Sequence, residues 1–298
     1  MKSRILTILF TVLPLFAYLQ VKVDAQEIIS KINNGEDIFY ENTTIHGDLD
    51  LRLINDVEKE SEWEFFSQDN ISYIYHVRSV IKFVNCVFQG KVIGYWNDDR
   101  KDELHIANFH KNVDFEKCTF KDDFWVKYSN FYKKATFPEN IFEKNALFKY
   151  AVFSSGVNFS NSVFQEEANF KYARFPENAD FEYSLFEELA NFKYTKFKGQ
   201  VNFKHCNFKK LAYFKYTELS DFIDFSEARF SAEAIFKYIK FSNGVNFENT
   251  VFEDFADFKY AKFFDPIRLN NVAFNGTTSF KYAYVEGKEF VTYLLENQ

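Results

Sequence analysis

From residue 104 onward the apolar positions of this chain recur at alternating steps of six and five residues. Phe153 is followed by Phe159, Phe164, Phe170, Phe175, Phe181, Phe186, Phe192, Phe197, Phe203, Phe208 and Phe214. The series goes on through Phe280, with Leu219 and Leu269 holding two of its positions, and runs backwards through Phe148, Phe142 and Phe137 to Leu104. Of the 34 frame positions from Leu104 to Val285, 29 are Phe and five are Leu or Val. A helix repeats its apolar stripe at three and four residues, so this spacing excludes helices and demands short extended sides. Two residues before each frame position the chain is usually small or β-branched, as at Ala168, Ala173, Ala179, Ser184, Ala190, Thr195 and Val201. Just before every second Phe it is often Asn or Asp, as at Asn158, Asn169, Asp180, Asn191, Asn202 and Asp224.

A second period fixes the length of a full turn. Lys-Tyr pairs stand at Lys127-Tyr128, Lys149-Tyr150, Lys171-Tyr172, Lys193-Tyr194, Lys215-Tyr216, Lys237-Tyr238, Lys259-Tyr260 and Lys281-Tyr282, each 22 residues after the last. The opposite half-turn carries Asn161, Tyr183, His205, Glu227 and Asn249 at the same phase. One coil is therefore 22 residues, built as five, six, five and six. Four short sides fit this better than three, although the three-sided parallel β-helix of polysaccharide-acting enzymes has coils of similar length and is the alternative.

At these residues the chain resembles the pentapeptide-repeat family, whose unit is a small residue, Asn or Asp, then Leu or Phe, then two polar residues. Ala-Asn-Phe-Lys-Tyr and Ala-Arg-Phe-Pro-Glu, at 168–177, show the unit twice. The departure is one extra residue in every second unit. The resemblance covers about two thirds of the chain and implies an all-β fold, a right-handed quadrilateral parallel β-helix with one unit per side and short helical caps. Neighbouring coils then lie about 4.8 Å apart, each frame Phe stacks on the one a coil away, and residues 104–285 make a rod of roughly 40 Å. A single Phe contributes about 1.5–3 kcal/mol by burial against about 1–2 kcal/mol per residue of backbone ordering, so the stack must be cooperative.

The ends divide into segments. Lys2 and Arg4, the apolar run from Ile5 to Leu19 and the close at Val23-Asp24-Ala25 read as an export leader, residues 1–25, cleaved after Ala25. No other stretch reads as membrane-spanning. Residues 26–103 read as an N-terminal cap with the first, interrupted coils: a helix from Gln26 stopped at Asn33-Asn34-Gly35, a first coil at Ile45, Leu49, Leu51 and Leu53, and a strand from Ile71 to Phe83. The stretch 55–80, with Glu58, Glu60, Glu62 and Glu64, and the stretch 95–103 break the frame, the latter as a solvated loop. Residues 104–285 form the regular repeat. Residues 286–298 form a C-terminal cap, with a helix from Phe290 to Leu295.

Composition changes this picture only at its edges. Aromatic residues are 21% of the 298, which excludes a disordered chain, and 9 Gly with 4 Pro exclude a collagen-like one. The net charge is −7, and removing the leader takes away three basic residues and one acidic one to leave −9. An exported acidic protein is a poor nucleic-acid binder, and no nucleic-acid partner is expected. Cys86, Cys118 and Cys206 occupy the small inward position. Cys118 and Cys206 are four coils apart and cannot bond, whereas Cys86 and Cys118 are stacked neighbours that form either a disulfide or two buried thiols. His105 and His110 lack converging partners for a metal. No nucleophile elbow, phosphate loop or zinc spacing occurs, so no catalytic residue, cofactor or metal is expected.

The surface feature that folding alone does not demand is charge order. Lys149, Tyr150, Lys171, Tyr172, Lys193, Tyr194, Lys215, Tyr216, Lys237, Tyr238, Lys259 and Tyr260 form a candidate binding strip. Arg174, Lys196, Lys240 and Lys262 add a second basic row, broken by Glu218. Duplication of the repeat, with Lys stems covering Tyr rings, accounts for the same order. The expected role is an exported, periplasmic, cell-surface or extracellular non-enzymatic scaffold or interaction module, meeting a protein or anionic glycan at the cell envelope. The alternative is a polysaccharide-acting β-helix enzyme, whose cleft of converging carboxylates would be built at 55–80 or 95–103. Acidic members of the resembled family mimic DNA and bind gyrase, a cytosolic task at odds with a leader and a basic strip.

Overall fold

The computed structural model describes residues 21–61 and 71–296. The two-residue strands of the repeat stack into four separate parallel sheets, so the coil has four walls and the three-sided alternative is excluded. In chain order the chain visits a first wall, for example Ala179–Asp180, a second, Leu185–Phe186, a third, Ala190–Asn191, and a fourth, Lys196–Phe197. The first and third walls have ten strands each, the second eleven and the fourth thirteen. Register confirms the period, since Asn169 lies against Asn191 and Val163 against Leu185, each 22 residues on.

The alternation of five and six comes from two kinds of corner. Where the third wall meets the fourth, and where the first meets the second, the chain makes a tight turn. The Ala173 N–H donates to the Phe170 carbonyl at 2.9 Å, and Tyr172 sits at a φ of +62°. The other two corners carry the extra residue, as in Pro176-Glu177-Asn178. The Asn or Asp before the tight corner fastens it. Asn169 Oδ1 accepts from the Lys171 N–H at 3.1 Å, Asp180 Oδ1 from Glu182 N–H at 3.0 Å, and Asp257 Oδ1 from Lys259 N–H at 2.9 Å. Short acceptor side chains that bond the backbone two residues on explain this part of the repeat.

Each wall sends one column of Phe to the axis. Along the third, Phe148, Phe170, Phe192 and Phe214 stack with centroids 5.0–5.1 Å apart and interplanar angles of 2–5°. Columns meet edge to face, as Phe192 meets Phe203 at 5.1 Å and 81°. Both geometries suit the ring quadrupole. The small residues between them are equally buried: Ala168, Ala190, Ala212, Ala234 and Ala256 leave no exposed surface. Where such a residue is polar, it can donate to the carbonyl of a Phe 25 residues earlier, although Ser129 Oγ and Thr278 Oγ1 find no partner among the described residues. Ser162 Oγ bonds Phe137 O at 2.8 Å, Thr195 Oγ1 bonds Phe170 O at 2.7 Å and Cys206 Sγ bonds Phe181 O at 2.8 Å. At these three positions the buried polar group keeps a partner, which removes most of its desolvation cost.

Both ends are closed. Helix α1 (Ala25–Asn33) buries Ile28, Ile29 and Ile32 over the first coil, with Asp24 as its N-cap. Val21–Asp24 pair in parallel with Thr43–His46. Helix α2 (Phe290–Glu296) drops Phe290 onto Phe263 at 4.2 Å and Phe280 at 4.8 Å. Residues 1–20 of the expected leader, with its apolar run from Ile5 to Leu19, lie outside the described residues, as do Glu62 and Glu64. Among the described residues no helix is long and apolar enough to cross a membrane.

Three local expectations need correction. Leu104 is not a core position: it lies inside the seven-residue strand Glu103–Phe109 and is only half-buried, and the inward register is carried by Ala107 and Phe109. The stretch from Ile71 to Phe83 is two strands on different walls, Ile71–Val77 on the fourth and Ile81–Val84 on the first, because the chain turns a corner between them. Leu53 closes a short 3₁₀ turn that rotates it out to 45% exposure, while Leu51 stays buried.

Candidate functional site: the lysine–tyrosine corner

The corner between the third and fourth walls gathers the predicted strip into one straight file. Tyr128, Tyr150, Tyr172, Tyr194, Tyr216, Tyr238, Tyr260 and Tyr282 all occupy the left-handed position of the tight turn, at φ between +59° and +63°. That position ordinarily falls to Gly or Asn, and a bulky residue there costs about 1–2 kcal/mol. Rung-to-rung contacts offset the cost. The Tyr172 N–H donates to Lys193 O at 3.1 Å, and successive rings stack at 4.6–4.9 Å. Each stacked pair contributes about 0.5–1.5 kcal/mol beyond burial.

Each Lys lies beside its own Tyr. In seven of the eight pairs Nζ stands 5.0–5.2 Å from the ring centroid, a cation–π arrangement. None of these eight Lys side chains forms an ion pair among the described residues. Elsewhere on the rod ion pairs link successive rungs, as between Lys144 and Glu166 at 2.7 Å and between Lys117 and Glu139 at 3.6 Å. Partial burial, and then the cations of Lys127 and Lys171, hold Lys149 below the ordinary ammonium value. Burial, and then Lys171 and Lys215, do the same to Lys193. The strip is a run of mutually repelling cations, with Glu167 and Asp99 acting only weakly on Lys149 and Lys127.

A profile of the pentapeptide-repeat family, described as "Pentapeptide repeats (9 copies)", matches residues 148–196, 192–239 and 236–283. Residues 148–283 carry the repeats of that family. No curated protein and no solved structure matches it. In this pentapeptide-repeat rod the second basic row lies on the outer face of the fourth wall. Arg174, Lys196, Glu218, Lys240 and Lys262 are successive strand partners, and Glu218 pairs with Lys196 at 3.0 Å. A hollow of about 440 Å³ separates the two rows, bounded by Tyr194, Tyr216 and Tyr238 on one side and Lys240 on the other.

Sequence reasoning missed how the strip begins. The stretch 95–103, expected as a solvated loop, is part of an antiparallel hairpin, Tyr95–Asp98 against Glu103–Phe109. Tyr95 packs on Tyr128 at 5.8 Å, and Lys127 Nζ donates to its hydroxyl at 2.8 Å, so the hairpin crowns the file. Trp96 packs on Trp125 at 6.2 Å, under the Arg52 guanidinium at 4.9 Å. The available signal was the Tyr-Trp pair in an otherwise charged segment.

The other singled-out residues stay apart from the strip. Cys86, Cys118 and Cys206 are buried free thiols, and burial pushes the last two well above the ordinary thiol value. His205 stacks on Tyr183 at 4.3 Å and faces Glu227 at 3.3 Å. His105 accepts or donates to the Tyr75 hydroxyl at 2.9 Å, and His110 shares a 2.9 Å hydrogen bond with His76. Among the described residues no three His, Cys, Asp or Glu converge as metal ligands.

Burial and then Arg52 hold His105 below the ordinary imidazole value, and burial, Arg78 and His76 do so for His110. In this window the unfolded chain binds more protons than the folded one. Their contribution is therefore complete above about pH 6.5 and is lost as pH falls through that value toward the depressed folded pKa. Amide-exchange protection of residues 71–77 and 103–110 is expected to drop between about pH 7.5 and 5.5. Replacing both His105 and His110 by Gln should flatten that dependence, and protection that ignores pH in the unaltered protein would refute the coupling.

Proposed function

We propose that this protein is an exported, non-enzymatic rod that grips an anionic polymer or an acidic envelope partner along its lysine–tyrosine corner. The observation carrying this reading is the file of eight Lys that form no ion pair among the described residues. Fixed cations without counter-ions attract an extended polyanion, and straight β-rungs hold them at about 4.8 Å from one to the next. Tyr faces are already occupied by neighbouring Tyr, so recognition relies on charge and hydroxyl edges, not on stacking of bases or sugars. The leader pattern in the sequence supports a place outside the cytoplasm.

The test is a fourfold variant, Lys171→Gln, Lys193→Gln, Lys215→Gln and Lys237→Gln, run on an immobilised anionic glycan such as heparin or polygalacturonate. The unaltered protein should be retained and released by salt. The variant should pass at least tenfold less retained with unchanged melting, since surface changes of this kind alter stability little. Equal retention of the two would remove the strip from the function.

A further inference from the structure

The point at which the sequence invites cleavage, between Ala25 and Gln26, lies inside the fold. Val21–Asp24 is a strand of the second wall, and it pairs with Thr43–His46 residue for residue: Val21 with Thr43, Lys22 with Thr44, Val23 with Ile45 and Asp24 with His46. Each partner stands 22 residues on, the length of one coil. The strand is therefore the second-wall piece of one further rung, laid down before helix α1 closes the end of the rod. The three residues that read as a cleavage motif each have a place in this rung. Val23 is buried beside Ile45, Ala25 is buried at the start of α1, and Asp24 Oδ1 accepts from the Gln26 N–H at 2.8 Å as the helix cap. Packing and capping thus account for the residue types at 23–25 without any call on processing.

A cut after Ala25 would undo that end. Thr43–His46 would become the bare first edge of the second wall, with a row of backbone groups unpaired. Helix α1 would lose its N-cap, and the new ammonium at Gln26 would sit at the positive end of the helix dipole. These effects fall together on the helix that buries Ile28, Ile29 and Ile32 and seals the aromatic axis. Upstream, residues 15–20 read Leu-Phe-Ala-Tyr-Leu-Gln and hold no pair of small residues spaced by one, so this stretch offers no second cleavage motif.

We propose that the bond after Ala25 is left uncut and that residues 5–19 tether the N-terminal end of the rod to a lipid bilayer. That run carries ten Ile, Leu, Val or Phe residues, and only Gln20 separates it from the strand. Val21 and Lys22 are exposed, so the leader joins the rod at an open face. Apolar surface of this extent, kept on the finished chain, leaves water for lipid. Lys2 and Arg4 precede the run, and such basic flanks stay on the cytoplasmic side, so the rod faces outward. The tether rests on the export reading above and is independent of the lysine–tyrosine corner.

The experiment isolates the full chain from a bacterial host with a working export pathway and reads its intact mass and its partition. The chain should still contain Val21–Asp24 and the apolar run, pellet with membranes, resist salt and carbonate washes, and dissolve in detergent. A folded rod beginning at Gln26 would overturn the tether and leave the export reading standing. An intact chain found soluble in the cytoplasm would overturn both. The fourfold Lys→Gln variant should pellet as the unaltered protein does, and its release would show that the strip, not the leader, holds the membrane. Hydrogen exchange of the detergent-dissolved full chain gives a second measurement. Residues 21–24 should exchange at least tenfold more slowly than an unstructured segment. Asp24→Ala should lower the protection of α1 about fivefold, the size of a lost N-cap, and leave residues 104–285 unchanged. Free exchange at 21–24, or an α1 indifferent to Asp24→Ala, would mean that the strand is no part of the rod.

Discussion

Phe192→Ala is expected to remove about 3–5 kcal/mol of unfolding free energy, the range for a large buried ring truncated in a core that cannot relax. Phe192 is fully buried. It lies face to face with Phe170 at 5.0 Å and Phe214 at 5.1 Å, and edge to face with Phe181 at 5.4 Å and Phe186 at 6.0 Å. The neighbouring rungs cannot close on the gap, because backbone bonds hold their pitch: Phe192 N–H donates to Tyr213 O at 2.7 Å. Phe274→Ala, near the C-terminal end where the ring is only half-buried, should cost clearly less. Guanidinium unfolding followed by circular dichroism measures both. A Phe192→Ala loss under about 1 kcal/mol would mean the axis is looser than the stack implies.

The second large effect concerns binding. The 22-residue coil is nearly two copies of an 11-residue unit, so inside the rod the walls are almost interchangeable by half a turn. Removing residues 193–214 takes out one full coil and should leave a folded rod with seven Lys still on one corner. Removing residues 193–203 joins Phe192 to Lys204 and keeps the Phe and small-residue frame. Everything downstream then turns by half a lap. Lys127, Lys149 and Lys171 stay on one corner, while Lys215, Lys237, Lys259 and Lys281 move to the diagonally opposite one. Both deletions should fold, yet only the shorter one should lose retention on an anionic glycan, by tenfold or more, because a single extended chain no longer reaches both groups. Retention in salt gradients decides it. Equal retention of the two deletions would show that general charge, not one aligned file, holds the polymer.

The repeat was legible because every contact in it is made again one rung later. The five-and-six step gave the sides, the Lys-Tyr period gave the lap, and the small residues marked where rings need room. The reason for Asn and Asp at the corners was not legible, since it depends on an Oδ1 meeting an N–H two residues on. Nor was the left-handed backbone of Tyr172 and its fellows, because Tyr is a residue that local preference keeps out of that region. The departures were harder still. Tyr95 crowning the file, Ile71–Phe83 turning a corner and Leu104 falling off the axis each depend on one long-range contact that nothing repeats.

The bonds between successive rungs in all four walls run along the rod, and none crosses more than one step. Tension applied to the two termini is therefore borne in series, by one layer at a time, instead of being shared across the length. Such a molecule behaves like thread on a bobbin: it resists compression and bending, and under sustained pull it pays out whole laps from its ends while the remainder keeps its shape.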